Sequence, residues 1–213
     1  MPAGSWVPPS SGGTRLVLVR HGATQHSLQR RFSGRNALEL DERGVRQAQA
    51  LAQRAPSWHG AAVISSPLVR CVQTADVIAA ELGLPVTTDD DLTEADFGTW
   101  EGLTFAEART SHPAELDAWL AAPETAPPGG ESFTEVAARV QRARDRLVRD
   151  HAGATVLVVT HVTPIKTLLR LALDAPPIAM FRIHLDTASV SIVEYFADGN
   201  CSVRLVNDTS HLD

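Results

Sequence analysis

Two apolar segments that lie far apart in the chain resemble one another. Residues 16–21 read Leu-Val-Leu-Val-Arg-His, residues 156–161 read Val-Leu-Val-Val-Thr-His, and each run ends on a histidine. Both runs are short and rich in β-branched residues, a pattern typical of buried parallel strands. Ligands of open α/β sheets bind at the carboxyl ends of such strands. We therefore expect His21 and His161 to lie at one site.

The first helix after this strand is predicted from its cap and its apolar spacing. Asp41 is the expected N-cap, and the helix ends at Pro56. Four positions hold the spacing of an inward face: Val45, Ala48, Ala52 and Ala55. Strands alternating with helices of this kind indicate an α/β protein.

A second helix is predicted from Ser66 as N-cap and Pro67 at the first helical position, and it ends at Gly83. Arg70 falls in its first turn, where a cation opposes the helix dipole. A bound anion would make this position favourable for Arg70, because the free N–H groups of the helix start and the guanidinium could both bind the anion. The alternative is that Arg70 reaches solvent or an acid such as Asp76.

The remaining elements follow from capping boxes and from alternating patterns. Further helices begin at Thr104 with Glu107, at Ser132 with Glu135, and near Pro164; further strands are expected at residues 61–65 and 155–159, and a closing hairpin at 189–196 and 202–206. Together they predict a three-layer α/β/α sandwich whose sheet is mostly parallel with an antiparallel edge.

The composition indicates one globular domain. Of 213 residues, 44% are hydrophobic and 21% charged, and the net charge of −6 provides no broad basic surface for nucleic acid or an anionic membrane. No segment approaches the roughly 18 apolar residues of a membrane helix. We expect a cytoplasmic protein that keeps Cys71 and Cys201 as reduced, buried thiols.

The start of the chain differs in composition from the rest. Residues 1–13 are rich in proline, glycine and serine and resemble a flexible linker. The folded domain is therefore expected at residues 14–213. A linker in this position favours a domain derived from a longer chain.

Arg20, His21 and Gly22 form the first candidate for chemistry. A guanidinium can hold two phosphate oxygens while an imidazole nitrogen attacks phosphorus, and glycine lets the backbone approach a ligand. His161 precedes a predicted helix start, so its ring and the nearby amides can meet the same anion.

Acidic residues supply the second candidate. Glu94 lies among apolar and glycine residues, a setting suited to proton transfer, although Asp96 and Glu101 compete with it. The run of three aspartates at residues 89–91 is interpreted as a solvated turn, because consecutive side chains point in different directions. We expect no catalytic metal and no cofactor.

Five segments in order carry a resemblance to a known family: residues 18–24, 65–75, 92–102, 128–132 and 158–161. Together they resemble the phosphoglycerate mutase-like branch of the histidine phosphatase superfamily, over about residues 15–206. The second half is most similar to the acid phosphatase domain of bifunctional ribonuclease H/acid phosphatase proteins, and α-ribazole phosphatases are also similar. No ribonuclease H segment is present in this sequence.

The resemblance implies a role for each matching residue. His21 would become phosphohistidine, Glu94 would be the proton donor, and three residues would complete the phosphate pocket: Arg20, Arg70 and His161. Further substrate contacts are implied at Thr24, Ser27, Ser33, Gly34 and Val162, with Gln25 and His26 near the mouth. Ser27 stands where the family often has asparagine, and Val162 where it often has glycine.

The expected activity is metal-independent hydrolysis of small phosphate monoesters, of the acid phosphatase type. Phosphoglycerate mutase remains an alternative, because it uses the same chemistry with a different phosphoryl acceptor. A binding module without turnover is a third. An acidic pH optimum is predicted from protonated His161 and protonated Glu94.

Overall fold

The computed structural model describes residues 12–212, and a six-stranded sheet lies at its centre. In chain order the strands are β1 (Thr14–Arg20), β2 (Ala62–Ser65), β3 (Val86–Thr88), β4 (Thr155–Thr160), β5 (Val190–Tyr195) and β6 (Cys201–Asp208). Their order in the sheet is β3-β2-β4-β1-β5-β6. The first four are parallel, whereas β5 runs antiparallel to β1 and β6 antiparallel to β5. The predicted mostly parallel sheet with an antiparallel edge is confirmed.

The helices cover both faces of this sheet. They are α1 (Gln25–Gln29), α2 (Glu42–Arg54), α3 (Val69–Leu82), α4 (Phe105–Ser111), α5 (Pro113–Ala121), α6 (Phe133–Asp150) and α7 (Val162–Ala172). Leu16 and Leu18 of β1 pack with α6 and α7, whereas Val17 and Val19 pack with α2 and α3. Side chains alternate along a strand, so one apolar run supplies two cores. The three-layer sandwich is confirmed.

The two apolar segments that end in histidine are neighbours in the sheet. β1 and β4 pair in parallel, with Arg20 opposite Thr160. His21 follows β1 directly, and His161 follows β4. The His21 N–H donates to the Thr160 carbonyl at 3.1 Å. Parallel pairing in this register therefore brings both imidazoles to the same sheet edge.

Helix α3 begins later than the sequence predicts. Its first residue is Val69 and its N-cap position is Leu68, which has no side-chain cap. The Ser66 hydroxyl lies 2.8 Å from His161 Nε2 and is 3.3 Å from the Leu68 N–H. The prediction of Ser66 as N-cap is wrong, because that hydroxyl contacts the second histidine and the backbone is still extended at Leu68, the residue before the helix.

The inward face of α2 also differs from the prediction. Ala48 and Ala52 are buried as expected, but Val45 is 44% exposed. Gly44 and Gln47 are buried in its place. A Cβ on Gly44 would lie 2.1 Å from the Ala23 carbonyl oxygen, so the helix packs directly on the loop that follows β1.

The predicted linker at residues 1–13 lies outside the described residues apart from Gly12 and Gly13. Within residues 12–212, no helix is both long and apolar enough to cross a membrane. Cys71 is buried and Cys201 only partly buried, and neither forms a disulfide. The expectation that both thiols are buried therefore fails for Cys201.

Candidate active site

His21 is held by the backbone immediately after it. The ring is only 6% exposed, and Nδ1 lies 2.7 Å from the Gly22 carbonyl oxygen. A carbonyl oxygen only accepts, so a neutral ring bonded in this way carries its proton on Nδ1. Burial, followed by the charges of Arg70 and Arg20, holds the pKa of His21 well below its usual value. His21 is therefore a neutral imidazole whose Nε2 lone pair is available.

His161 lies beside His21 and is fully buried. The ring centroids are 5.1 Å apart with an interplanar angle of 62°. Besides Ser66, the thiol of Cys71 approaches the ring, with Sγ 3.3 Å from Nε2. Burial, then Arg70 and His21, holds the pKa of His161 well below its usual value. This lowered pKa favours the neutral ring, and the expected protonation of His161 during the reaction stays a prediction.

Two arginines flank the histidines, Arg20 partly buried and Arg70 fully buried. Arg20 donates to the Leu185 carbonyl at 2.6 Å, and Arg70, which is 0% exposed, donates to three carbonyls of the loop at residues 33–36. Burial lowers the pKa of Arg20 to about 10 and also lowers that of Arg70. Both groups are still charged at neutral pH. The alternatives of solvent or Asp76 as the partner of Arg70 do not hold.

These two guanidinium groups have no close ion-pair partner among the described residues, and Glu94 is a carboxylate whose charge acts on both by raising the pKa of each. Within residues 12–212 neither forms a salt bridge, and the Nε atoms of Arg20 and Arg70 are buried without a hydrogen-bond partner. A buried cation without a counterion is costly, and unpaired buried donors are rare in folded proteins. The pocket is therefore preorganised for an anion.

Glu94 lies in the same pocket and is 5% exposed. Its carboxylate accepts from the Ala95 N–H at 2.7 Å and from the Thr163 N–H of α7 at 3.2 Å. Arg139, itself buried, donates to the Glu94 and Thr93 carbonyl oxygens and fixes the backbone beneath the carboxylate. Glu94 is thus aimed into the pocket by two elements.

The competing acids have other partners. Asp96 accepts from the Gly98 N–H within its own turn. Glu101 accepts from the Gly34 and Arg35 N–H groups and from Asn36, and so holds the loop whose carbonyls bind Arg70. The geometry selects Glu94 as the acid that faces the cavity.

The cavity over these groups has a volume of about 190 Å³. Of the predicted site residues, its lining includes Arg20, His21, Thr24, Ser27, Ser33, Glu94 and Val162. Arg70 and His161 lie beneath this lining and are fully buried. Gln25 and His26 do not line the cavity.

Gly34 also lies behind the cavity rather than at its surface. Its carbonyl oxygen accepts from Arg70 at 2.8 Å, and a Cβ there would meet Glu101 Oε1 at 2.1 Å. The close approach requires glycine. Gly34 contacts Arg70 and does not line the cavity, and its contact with substrate stays a prediction.

Four lining residues were not among the predicted substrate contacts: Arg31, Phe32, Phe97 and Thr163. The rings of Phe32 and Phe97 lie 4.9 Å apart and form an apolar wall at the mouth. Arg31 is held by Glu107 at 2.8 Å. The sequence carries one signal for the two phenylalanines, because large apolar side chains in glycine-containing loops are typical of residues that line a cavity or an interface.

Two of the three aspartates at residues 89–91, Asp89 and Asp91, contact cations of α6. Asp89 and Asp91 each lie 2.8 Å from the Arg146 guanidinium, and Arg142 binds Asp91 as well. Within the described part of the chain, no cluster of three or more potential metal-binding side chains occurs.

Fold and pocket together place two histidines and two arginines around a cavity at the strand ends of an α/β sheet. The family model described as the histidine phosphatase superfamily (branch 1) matches residues 16–209. The chain therefore belongs to the histidine phosphatase superfamily, as the sequence motifs predict.

Three relatives illustrate the range of similarity. "Bifunctional protein Rv2228c" of Mycobacterium tuberculosis is 54% identical over 208 residues, which are 97% of this chain but only 57% of that protein. "Phosphoserine phosphatase 1" of Hydrogenobacter thermophilus is 32% identical and is covered to 94%, with 93% of this chain. A solved structure of mycobacterial glucosyl-3-phosphoglycerate phosphatase Rv2419c with VO3 has 30% identity and a TM-score of 0.84, covering 92% of this chain and all of that one.

Proposed function

We propose that this chain is a metal-independent phosphomonoesterase of the acid phosphatase type that acts through a phosphohistidine on His21. One observation carries the proposal: Arg20 and Arg70, neither of which forms a salt bridge among the described residues, place two guanidinium groups with unpaired, buried Nε atoms around a neutral imidazole. Such a pocket favours a phosphate dianion and leaves a nucleophile beside it. Superfamily membership and the phosphatase names of two relatives support this class.

The chemistry follows from the residues present. His21 Nε2 attacks phosphorus and the P–O bond to the leaving group breaks, while Glu94 gives its proton to the departing oxygen. Glu94 then takes a proton from water, whose oxygen attacks phosphohistidine and returns His21 to the neutral form. Arg20 and Arg70 hold the phosphoryl oxygens, and His161 joins them, with bound phosphate offsetting the charges that lower its pKa.

The substrate is proposed to be a small ester. Ligand pockets for drug-sized molecules enclose about 300–1,000 Å³. The 190 Å³ cavity is smaller, and its mouth combines Arg31 with the apolar wall of Phe32 and Phe97. Ser27 and Thr24 also line the cavity and supply hydroxyl groups.

Hydrolysis of an aryl phosphate by the purified chain tests the proposal. We expect turnover that survives a chelator, a phosphohistidine detected by mass spectrometry after rapid mixing, and loss of both in His21→Asn. The matched control is His59→Asn, an exposed histidine away from the pocket. Wild-type hydrolysis by His21→Asn would disprove the mechanism.

The alternative activities are separate outcomes. Faster interconversion of 3-phosphoglycerate than hydrolysis, with or without bisphosphoglycerate, would indicate a mutase. Phosphate binding without turnover would indicate a binding module. A screen of phosphorylated metabolites, including α-ribazole phosphate, identifies the preferred ester.

The proposal extends to the setting of the domain. Residues 14–213 are taken as the phosphatase unit, placed in the cytoplasm and joined to a ribonuclease H-like unit in a longer protein. Support comes from the mycobacterial relative, which is named bifunctional and extends well beyond the matched region. Phosphatase activity of residues 14–213 alone, with nuclease activity only in a longer gene product, is the expected result.

A further inference from the structure

We infer that Gln47 is a positioning residue for His21, acting through the peptide group between Gly22 and Ala23. This inference deepens the proposed function and rests on His21 as the nucleophile. Gln47 lies on α2, is 5% exposed, and belongs to none of the sequence motifs that carry the family resemblance.

The coupling depends on a rigid peptide plane. Gln47 Oε1 accepts from the Ala23 N–H at 2.8 Å, and the Gly22 carbonyl in that same peptide accepts from His21 Nδ1 at 2.7 Å. Because a trans peptide is planar, fixing its N–H also fixes the direction of its C=O. Gln47 therefore holds the oxygen that keeps the His21 proton on Nδ1 and the lone pair on Nε2.

Gln47 is itself oriented by a second contact. Its Nε2 donates to the Thr187 hydroxyl at 3.0 Å, which fixes the amide so that Oε1 faces Ala23. The peptide on the other side of Gly22 is held independently, since the Gly22 N–H donates to the Thr74 hydroxyl at 3.1 Å. A Cβ on Gly22 would lie 2.6 Å from the Gly44 carbonyl oxygen, so this loop has little room to turn.

Gln47→Met keeps the length of the side chain and removes the acceptor. We expect kcat to fall about tenfold, which corresponds to losing one hydrogen bond of ordinary strength. KM is expected to change by less than about twofold, because Gln47 does not contact the phosphate. Gln49→Met makes the same substitution at an exposed position of the same helix and should match the wild type.

Nitrogen NMR of histidine-labelled protein gives a readout that does not depend on activity. The His21 signals, identified by their loss in His21→Asn, should show an Nδ1-protonated ring in the wild type. In Gln47→Met they should show a mixture of both tautomers. If the wild type shows this tautomer but hydrolyses no phosphate ester, the proposed function fails while the positioning role stands.

A milder pair of variants covers the case in which Gln47→Met does not fold. Thr187→Val removes only the contact that orients the amide and should shift kcat and the tautomer ratio in the same direction, by about two- to threefold. Thr187→Ser keeps the hydroxyl and should restore both. Unchanged kcat and tautomer in Gln47→Met or, if it is unfolded, in Thr187→Val would overturn the inference, as would equal losses in Gln47→Met and Gln49→Met.

Discussion

The ends of β1 and β4 carry the same residue type at the same level of the sheet, yet they hold it in different ways. His21 is fixed by a backbone carbonyl, that of Gly22. His161 contacts two side chains, the Ser66 hydroxyl and the Cys71 thiol. A carbonyl can only accept, whereas a hydroxyl can donate or accept. In the proposed mechanism, the first end therefore fixes the tautomer that nucleophilic attack needs, and the second can take up or release a proton as phosphate arrives.

Replacing each histidine in turn is expected to give the largest difference in turnover between the two strand ends. His21→Ala is expected to lower turnover by roughly 10⁴-fold or more and to abolish the phosphoenzyme, because the nucleophile is lost. His161→Ala should lose about 10²- to 10³-fold and still form the phosphoenzyme slowly, because only charge stabilisation is lost. Single-turnover kinetics with phosphoenzyme detection measures both. Equal losses, with no phosphoenzyme in either variant, would refute the division of roles.

Substitution of Glu94 tests whether this acid, rather than either histidine, protonates the leaving group. Glu94→Gln should lower kcat by about 10²- to 10⁴-fold for an alkyl phosphate and by less for an aryl phosphate, whose leaving group needs less protonation. Glu81→Gln makes the same substitution at an exposed position of α3 and should match the wild type. Equal losses for alkyl and aryl esters in Glu94→Gln would contradict the assignment.

The pH dependence of stability compares the buried rings directly. Both His21 and His161 have pKa values held well below 6.5 in the folded state. Below about pH 6.5 the unfolded chain binds protons that the folded rings do not, so the free energy of unfolding falls as pH falls. Each ring contributes a slope of up to about 1.4 kcal/mol per pH unit. Denaturant unfolding between pH 7 and pH 5 should show a shallower slope in His161→Gln than in the wild type; identical slopes would contradict this.

The smallest expected effect concerns the side-chain partner of the second ring. Ser66→Ala should lower the free energy of unfolding by about 1–2 kcal/mol, because a buried ring nitrogen loses its hydroxyl partner. Ser57→Ala, at an exposed serine, should be nearly neutral. Chemical denaturation measures both, and equal effects would show that the Ser66 contact contributes nothing.

The sheet and the pair of histidines could be predicted because both follow from local pattern. Alternating apolar runs specify strands, and parallel pairing of β1 with β4 then places His21 and His161 together. The partners of Arg70 could not be read in this way. They are carbonyl groups of a loop more than 30 residues away, and backbone acceptors have no sequence signature.

The errors on α2 and α3 have a common cause. Val45 and Ser66 were interpreted from helix periodicity and capping preference, whereas tertiary contacts decided both positions. Gln47 occupies the buried face in place of Val45, because the Ala23 N–H requires an acceptor. The helix periodicity and the capping preference of a segment are overridden when a buried polar group near the site needs a hydrogen-bond partner.

The reactivity of the Cys71 thiol can report how often the protein opens locally around the pocket. A thiol reacts as its thiolate, and burial raises the pKa of Cys71 far above its usual value, so the closed protein shields it from alkylating reagents. Labelling then requires α3 to move away from the sheet, and its rate counts these openings. Cys201 is only partly buried and, although burial also raises its pKa, it is the more accessible reference thiol in the same molecule. The ratio of the Cys71 and Cys201 labelling rates therefore reports how often the region beneath the cavity, where α3 packs on the sheet, opens.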